Sequence, residues 1–110
     1  MTERNIFYQV ALQVDSDVYP EFKTWLDAHI QEMLALPGFL SHQILSCYDI
    51  SDNRVDLNRQ TTTQVTAVYQ LESLEKLEEY FQVHAPAMRG DGIKKFGGKF
   101  TASRKVFYRD

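Results

Sequence analysis

The sequence contains one cysteine, three prolines and five glycines among 110 residues, and it has no long apolar run. Because Cys47 is alone, it has no partner for an internal disulfide, and in a strand-like segment we expect a buried, unreactive thiol. No stretch approaches the length needed to cross a bilayer. The start, MTERNIFYQV, lacks the basic flank and apolar run of a secretory signal. These absences predict a cytoplasmic protein without a membrane partner.

An excess of positive charge is missing as well. Twelve lysines and arginines stand against fifteen aspartates and glutamates, which gives a net charge of −3. Nucleic acid is therefore not an expected partner. The three histidines and the cysteine form no closely spaced ligand pair, so no metal site or cofactor is predicted. The remaining composition, 44% hydrophobic and 25% charged, predicts one globular domain over residues 1–110.

Apolar periodicity predicts four strands and two helices. The predicted strands are 5–15, 39–48, 62–71 and 99–108, and the predicted helices are 18–36 and the segment after Ser73. The order strand, helix, strand, strand, helix, strand predicts an α+β ferredoxin-like (βαββαβ) fold. In this fold a four-stranded antiparallel sheet carries both helices on one face.

Each predicted helix has an apolar seam at helical spacing. The first is expected to begin at an N-cap on Ser16 or Asp17 and to stop at Pro37-Gly38. Its seam consists of Phe22, Leu26, His29 and Met33. The second helix has a seam of Leu74, Leu77, Phe81, His84 and Met88, and Pro86 predicts a break near its end. A polar connection over residues 49–60 joins the two middle strands.

The other face of the sheet is too apolar at several positions to be left in water. It is expected to carry Phe7, Gln9, Ala11, Gln13, Gln64, Thr66, Val68, Thr101, Lys105 and Phe107. In a dimer with a two-fold axis, this face of one copy would pack against the same face of the other copy, and both would be buried. We therefore expect a homodimer.

Arginine at position 104 lies on the helix side of the last strand, as Tyr8 does on the first, if simple alternation holds. A buried guanidinium needs a counter-charge, and we expect an internal ion pair. The candidate carboxylates are Asp27, Glu32 and Asp91. The alternative is a cavity that accepts an anionic ligand.

A pocket between helices and sheet is the candidate site. Its aromatic walls are Tyr8, Trp25 and Tyr69, and its polar groups are His29, His42, His84 and Arg104. His42 faces this pocket if its strand also buries Leu40 and Ile44. His29 or His42 is then a candidate general base, and Arg104 would stabilise an enolate or phenolate. The alternative is that the aromatic residues are simply core.

The run HAPAMRGDGIKKFGGKF concentrates basic residues, including Arg89 and Lys95, around one aspartate. We expect a corner in which Gly90 and Gly92 release the chain from the second helix and Phe96 anchors the turn in the core. Gly97-Gly98 then permit the sharp entry into the last strand. As a second role, this basic corner would bind an anion near one mouth of the pocket.

Three stretches resemble a bacterial family known as domain of unknown function 4286: AHIQEMLALPGF, QLESLEKLEEY and HAPAMRGDGIKKFGGKFTASR. The most specific part comprises His84-Ala85-Pro86, Arg89, Asp91-Gly92, Phe96-Gly97-Gly98 and Arg104. The resemblance spans nearly the whole chain and implies a dimeric α+β barrel. It implies no activity, because related barrels include cofactor-independent monooxygenases, haem-degrading enzymes, isomerases and non-catalytic binding domains.

Three hypotheses follow. The first is a homodimeric domain that binds a small molecule, an organic anion, between helices and sheet. The second is a cofactor-independent enzyme resembling a monooxygenase or isomerase, with His29 or His42 as the base. The third is a dimerisation module without a ligand or catalytic role.

Overall fold

A computed structural model describes residues 5–56 and 62–109. Its strands are β1 (Asn5–Asp15), β2 (Phe39–Ser46), β3 (Asp49–Ser51), β4 (Arg54–Asp56), β5 (Thr62–Leu71) and β6 (Phe100–Arg109). Its helices are α1 (Tyr19–Leu34), α2 (Leu74–Val83) and α3 (Ala85–Phe96). Three helices are therefore present in the described residues, where the periodicity predicted two.

The main sheet has the strand order β2-β5-β1-β6, and every neighbouring pair is antiparallel. The buried side chains of β1 are Ile6, Tyr8, Leu12 and Val14, as strict alternation predicts. They pack with buried side chains of α1 and α2 into one core. The predicted α+β ferredoxin-like fold is confirmed.

Helix α1 buries Phe22, Leu26, Ile30 and Met33. Its spacing of four, four and three places Ile30 against the sheet and leaves His29 half-buried beside it. The predicted N-cap at Ser16 or Asp17 is wrong. Val18 occupies the cap position without a side-chain hydrogen bond, and Pro20 stands in the first turn, where the missing amide has no intrahelical partner.

The turn from α1 into β2 requires glycine at position 38. Gly38 has a φ of +87°, and a Cβ there would lie 2.5 Å from the Cβ of Lys76. Its carbonyl accepts a 2.8 Å hydrogen bond from the Glu72 amide. The glycine thus lets the start of β2 pass close against the start of α2.

The predicted second helix divides at His84, which ends α2 and begins α3. Pro86 in the first turn of α3 explains the break, because its ring cannot continue the preceding helix. The prediction that Gly90 and Gly92 release the chain is wrong, since both lie inside α3. The chain turns at Gly97, which has a φ of +52° and is one of the two glycines expected at the entry into the last strand.

Strand β2 contains a bulge at Leu40, because Phe39 pairs with Leu71 and Ser41 pairs with Gln70. Phe39 is therefore buried and Leu40 is 57% exposed. The prediction that Leu40 is buried is therefore wrong.

The connection after β2 also differs from the predicted polar loop. It contains the β3–β4 hairpin, which turns at Asp52 and Asn53 with φ angles of 50° and 61°, a geometry that suits a tight hairpin. Residues 57–60 of the predicted connection lie outside the described residues. Cys47, just after β2, is exposed, so the expected buried thiol is wrong.

The face of the sheet opposite the helices, here called the open face, carries Phe7 and Val68 as half-buried residues. Leu45 and Phe107 on the same face are 47% and 46% exposed. The buried side chains of β1 and β5 all lie on the opposite side of the sheet, where the helices pack. No helix of the described residues covers the open face. Among the described helices, none has the length and apolar character required to span a bilayer.

Candidate functional site

A cavity of about 50 Å³ lies between the helices and the sheet. It is lined by side chains from β1, α1, β5, α2, α3 and β6. Of the residues that the sequence singled out, those on its wall are Tyr8, Trp25, His29, Tyr69, Arg89 and Arg104.

One part of the site is the tyrosine–arginine cluster, which consists of Tyr8, Tyr69, Tyr80, Phe81 and Arg89. The ring of Tyr8 lies 6.1 Å from Tyr69 and 5.9 Å from Tyr80, and its distance to Phe81 is 5.4 Å in an edge-on contact. Ring contacts of this kind stabilise by about 0.5–1.5 kcal/mol each beyond simple burial. The cluster therefore holds the tyrosine rings in fixed orientations.

Arg89 has no acidic partner in the part of the chain that the structure describes. Its Nη2 donates a 3.3 Å hydrogen bond to the hydroxyl of Tyr8, and its Cζ lies 5.8 Å from the ring centre of Phe81. Its Nε is buried and has no hydrogen-bond partner among the described residues. A permanent positive charge thus stands on the cavity wall with an unused donor.

Two tyrosines of the cluster remain protonated over a wide pH range. Burial raises the pKa of Tyr69, and the neighbouring Tyr80 and Tyr8 raise it further. Burial also raises the pKa of Tyr80 to about 12, although the positive charges of Arg89 and Arg104 oppose this shift. Both hydroxyls are therefore neutral groups that can donate a hydrogen bond to an oxyanion.

Arg104 lies on the helix side of the sheet, as alternation predicted. It pairs with Val10 in the ladder between β1 and β6, and directly opposed residues share one side of the sheet. It lines the cavity and is itself exposed. The cavity wall therefore reaches solvent at this guanidinium.

The internal ion pair expected for Arg104 is wrong. No described carboxylate lies within ion-pair distance of it. Asp27 instead accepts a 2.7 Å hydrogen bond from Lys23, and Asp91 accepts one from a tryptophan of α1. Glu32 is exposed on α1. A guanidinium that is partly in water does not require an internal counter-charge, which explains the difference.

The other part of the site is the tryptophan cluster, which consists of Phe22, Trp25, His29, Phe96 and Phe100. Trp25 stacks on His29 with the ring centres 4.7 Å apart and an angle of 18° between the planes. Phe22 lies 5.4 Å from Trp25, 5.0 Å from Phe96 and 5.2 Å from Phe100. The cavity lies between this cluster and the tyrosine–arginine cluster.

Trp25 is also fixed by α3. Its Nε1 donates a 2.7 Å hydrogen bond to Oδ2 of Asp91. A Cβ at Gly92 would lie 2.8 Å from Cη2 of Trp25, so the ring packs directly on the helix backbone. This close approach explains a glycine inside a helix, where it costs about 1 kcal/mol relative to alanine.

His29 lines both the cavity and an outer groove between α1 and α3. Burial lowers its pKa from 6.5, and the negative charges of Glu32 and Asp91 oppose the shift. The imidazole is therefore mostly neutral at pH 7 and has a free electron pair on one nitrogen. The structure thus supports His29 as the better placed of the two histidines proposed as a base.

His42 does not line the cavity. It pairs with Tyr69, but β2 is an edge strand and His42 is exposed. The expected register holds at His42 and Ile44, which pair with Tyr69 and Ala67 on the helix side, and it fails at Leu40, where the strand bulges. His42 misses the cavity because its strand stands at the edge of the sheet.

His84 and Lys95 also lie away from the cavity wall. His84 is half-buried at the junction of α2 and α3, where Ala85 takes the buried position. Lys95 lies in the outer groove beside Trp25. Sequence periodicity misplaced His84 because the helix was extended across the break at Pro86.

Tyr80 is the cavity residue that the sequence reasoning missed most clearly. It is 3% exposed, whereas Leu74, which opened the predicted seam, is 51% exposed. Leu77 and Tyr80 are three positions apart, so they lie on the same face of the helix, and both are buried. This spacing, together with the neighbouring aromatic residue Phe81, was the sequence signal that could have identified Tyr80 as a core residue.

Within the described residues, no group of three or more histidine, cysteine, aspartate or glutamate side chains is arranged to hold a metal ion. His29 therefore stands in the site as a single polar group stacked on Trp25.

Several solved structures share this fold. SnoaB, a cofactor-independent oxygenase from Streptomyces nogalater, is 10% identical with a TM-score of 0.64, and the match covers 96% of this chain and 94% of that chain. A dimeric ferredoxin-like protein from an uncultured marine organism is 10% identical with a TM-score of 0.65, with 97% and 96% covered. A conserved protein from Methanosarcina mazei Go1 is 11% identical with a TM-score of 0.64, with 96% and 94% covered.

At such low identities these structures show the fold alone. No curated protein matches the chain in sequence. The family model described as "Domain of unknown function (DUF4286)" matches residues 5–109, which is almost the whole chain and agrees with the resemblance seen in its motifs. The chain belongs to the DUF4286 family.

Proposed function

We propose that the cavity binds a small organic anion that pairs with Arg89. The observation that carries this proposal is the buried Nε of Arg89, which has no partner in the described residues, while Nη2 reaches only the neutral hydroxyl of Tyr8. A positive charge that is partly removed from water and lacks a counter-charge is costly. An anion in the cavity removes this cost.

The surrounding groups suit an oxyanion. Tyr69 and Tyr80 line the same cavity, and their raised pKa values keep the hydroxyls protonated. Arg104 adds a second guanidinium where the wall reaches solvent. Few converging polar groups in a mainly apolar wall are the usual arrangement of a small-molecule site.

Thermal unfolding in the presence of millimolar carboxylates tests this proposal. A carboxylate that binds the folded protein should raise the Tm, because ligand binding stabilises the native state by mass action. The increase should be lost in Arg89→Gln and reduced in Arg104→Ala. Arg104 is exposed, so its replacement should leave the fold intact even if Arg89→Gln lowers the stability of the free protein.

Lys94→Ala is the matched control, because it removes one positive charge from an exposed position of α3 away from the cavity. This variant should keep the full increase in Tm. If Lys94→Ala and Arg89→Gln lose the same part of the Tm increase, the increase depends on the net charge of the protein and not on Arg89. The absence of any increase with acetate, benzoate or phenylacetate in the wild type would refute the proposal.

An enzyme is the second candidate, and the neutral imidazole of His29 on the cavity wall favours it. His29 would take a proton from an acidic C–H or O–H of the bound molecule, and the charge left on the substrate would be stabilised by Arg89. The description of SnoaB as a cofactor-independent oxygenase is compatible with this chemistry. In heavy water, the wild-type protein should then exchange an acidic C–H proton of the ligand for deuterium, which NMR detects. His29→Gln should still bind the ligand but should not catalyse this exchange.

The open face supports a homodimer in this proposal. Its apolar residues Phe7, Val68 and Phe107 form part of a sheet surface that the described helices leave uncovered. A second copy meeting this surface through a two-fold axis would bury the same residues from both chains. If the dimer forms and no anion binds, the chain is a dimerisation module.

A further inference from the structure

The cavity joins two clusters of opposite chemistry. The tyrosine–arginine cluster supplies positive charge and hydroxyl donors through Arg89, Tyr69 and Tyr80. The tryptophan cluster supplies apolar rings through Phe22, Trp25 and Phe100. A ligand that satisfies both has an anionic end and an apolar body.

The apolar part of the wall includes a ring that is held rigidly. Trp25 is stacked on His29, hydrogen-bonded to Asp91 and packed on the backbone at Gly92. A wall that needs no rearrangement favours a ligand of matching shape, because little conformational entropy is lost on binding. A flat ring packs against such aromatic neighbours in offset or edge-on contacts.

The size of the cavity limits the ligand. Its volume of about 50 Å³ is well below the roughly 150 Å³ of a closed cavity that holds benzene. One six-membered ring with a carboxylate therefore fills the cavity and extends into the opening at Arg104. A fused second ring would lie in water beyond that opening.

We infer that the ligand class is an aromatic monocarboxylate with a single ring, an inference that rests on the proposed function. The carboxylate pairs with Arg89 and accepts a hydrogen bond from a tyrosine hydroxyl. The ring lies against the tryptophan cluster, where Phe100 and Trp25 line the cavity.

Isothermal titration calorimetry with four compounds tests the inference: acetate, benzoate, benzamide and 2-naphthoate. Benzoate should bind roughly tenfold or more tightly than acetate, because its ring removes apolar surface from water. Benzamide should bind at least about tenfold more weakly than benzoate, because it lacks the charge that Arg89 requires. 2-Naphthoate should bind no more tightly than benzoate, because its second ring would lie in water.

Phe100→Leu and Phe107→Leu form a matched pair on β6. Phe100 is half-buried and lines the cavity, whereas Phe107 lies on the open face. Phe100→Leu should weaken benzoate binding and leave acetate binding unchanged, and Phe107→Leu should alter neither.

The outcomes separate the two proposals. Equal affinity for acetate and benzoate, or tighter binding of 2-naphthoate, overturns the ring assignment while the anion site stands. If none of the three carboxylates binds, the proposed function itself fails. Benzamide binding as tightly as benzoate overturns both the role of Arg89 and the ligand class.

Discussion

Trp25 on α1 donates a 2.7 Å hydrogen bond from Nε1 to Oδ2 of Asp91 on α3, across 66 positions of the chain. This bond joins two of the three helices that line the cavity. It also places the indole over Gly92 and against His29. One wall of the candidate site is therefore positioned by a contact between residues that lie far apart in sequence.

Gly92→Ala should destabilise the protein by about 1–3 kcal/mol, the usual range for overpacking. The new Cβ would lie 2.8 Å from Trp25 Cη2, so the indole must move away from α3. Urea unfolding measures the change in free energy, and Trp25 fluorescence reports the altered environment of the ring.

Gly90→Ala is the matched control for that substitution. Gly90 lies in the same helix, and a Cβ there meets no atom within 4 Å. Because alanine is the better helix former, this variant should gain up to about 1 kcal/mol. Equal destabilisation by both substitutions would contradict the close packing of Trp25 on Gly92.

The pKa of His29 should lie below 6.5 in the folded protein, because burial disfavours the imidazolium. With a lowered folded pKa, the unfolded state binds more protons at pH values between the two pKa values. The free energy of unfolding should therefore fall as the pH decreases through 6.5 and level off below the folded pKa. NMR titration of the His29 ring gives the pKa directly, and a value at or above 6.5 would contradict the burial.

Asp91→Asn should lower the pKa of His29 further, because the negative charge that opposes the shift is removed. The asparagine keeps a side-chain oxygen that can accept the hydrogen bond from Trp25, so the indole should stay in place. Asp27→Asn removes a charge from an exposed position on α1 that pairs with Lys23. This control should leave the titration of His29 unchanged.

Val68→Glu should convert the proposed homodimer into a monomer. Val68 is half-buried on the open face, opposite Gln9 in the sheet, and a carboxylate enclosed between two sheets without a partner is costly. Native mass spectrometry at micromolar concentration measures the assembly, and it also detects any small molecule retained by the protein.

Leu74→Glu is the comparison for the dimer experiment. It introduces the same charge at a residue of α2 that is 51% exposed on the helix side. This variant should remain dimeric. A wild type that is monomeric at all accessible concentrations, or equal dissociation of both variants, would overturn the assignment of the open face.

Local patterns predicted the sheet more accurately than the helices. The strand over residues 5–15 was predicted with its observed ends, because each alternate residue faces the core. The second helix was extended past its end, since Met88 continues the spacing of Leu77 and Phe81. The break at Pro86 depends on a single residue, and periodicity averages over many.

The site was predicted in part for the same reason. Tyr8, Tyr69 and Arg104 were assigned to the cavity side from alternation, and the structure places them there. His42 was misplaced because its strand lies at the edge of the sheet, away from the cavity, although the pairing with Tyr69 puts it on the predicted side.

The sequence by itself determined the order of the four main strands and the first two helices, the antiparallel sheet and the side of the sheet that carries the helices, because these follow from the period of apolar residues. Only the tertiary structure decided that Arg89 stands without a carboxylate and that Trp25 reaches Asp91. Contacts of this kind depend on the relative positions of whole elements. Those positions are set by packing between distant side chains, which no local period encodes.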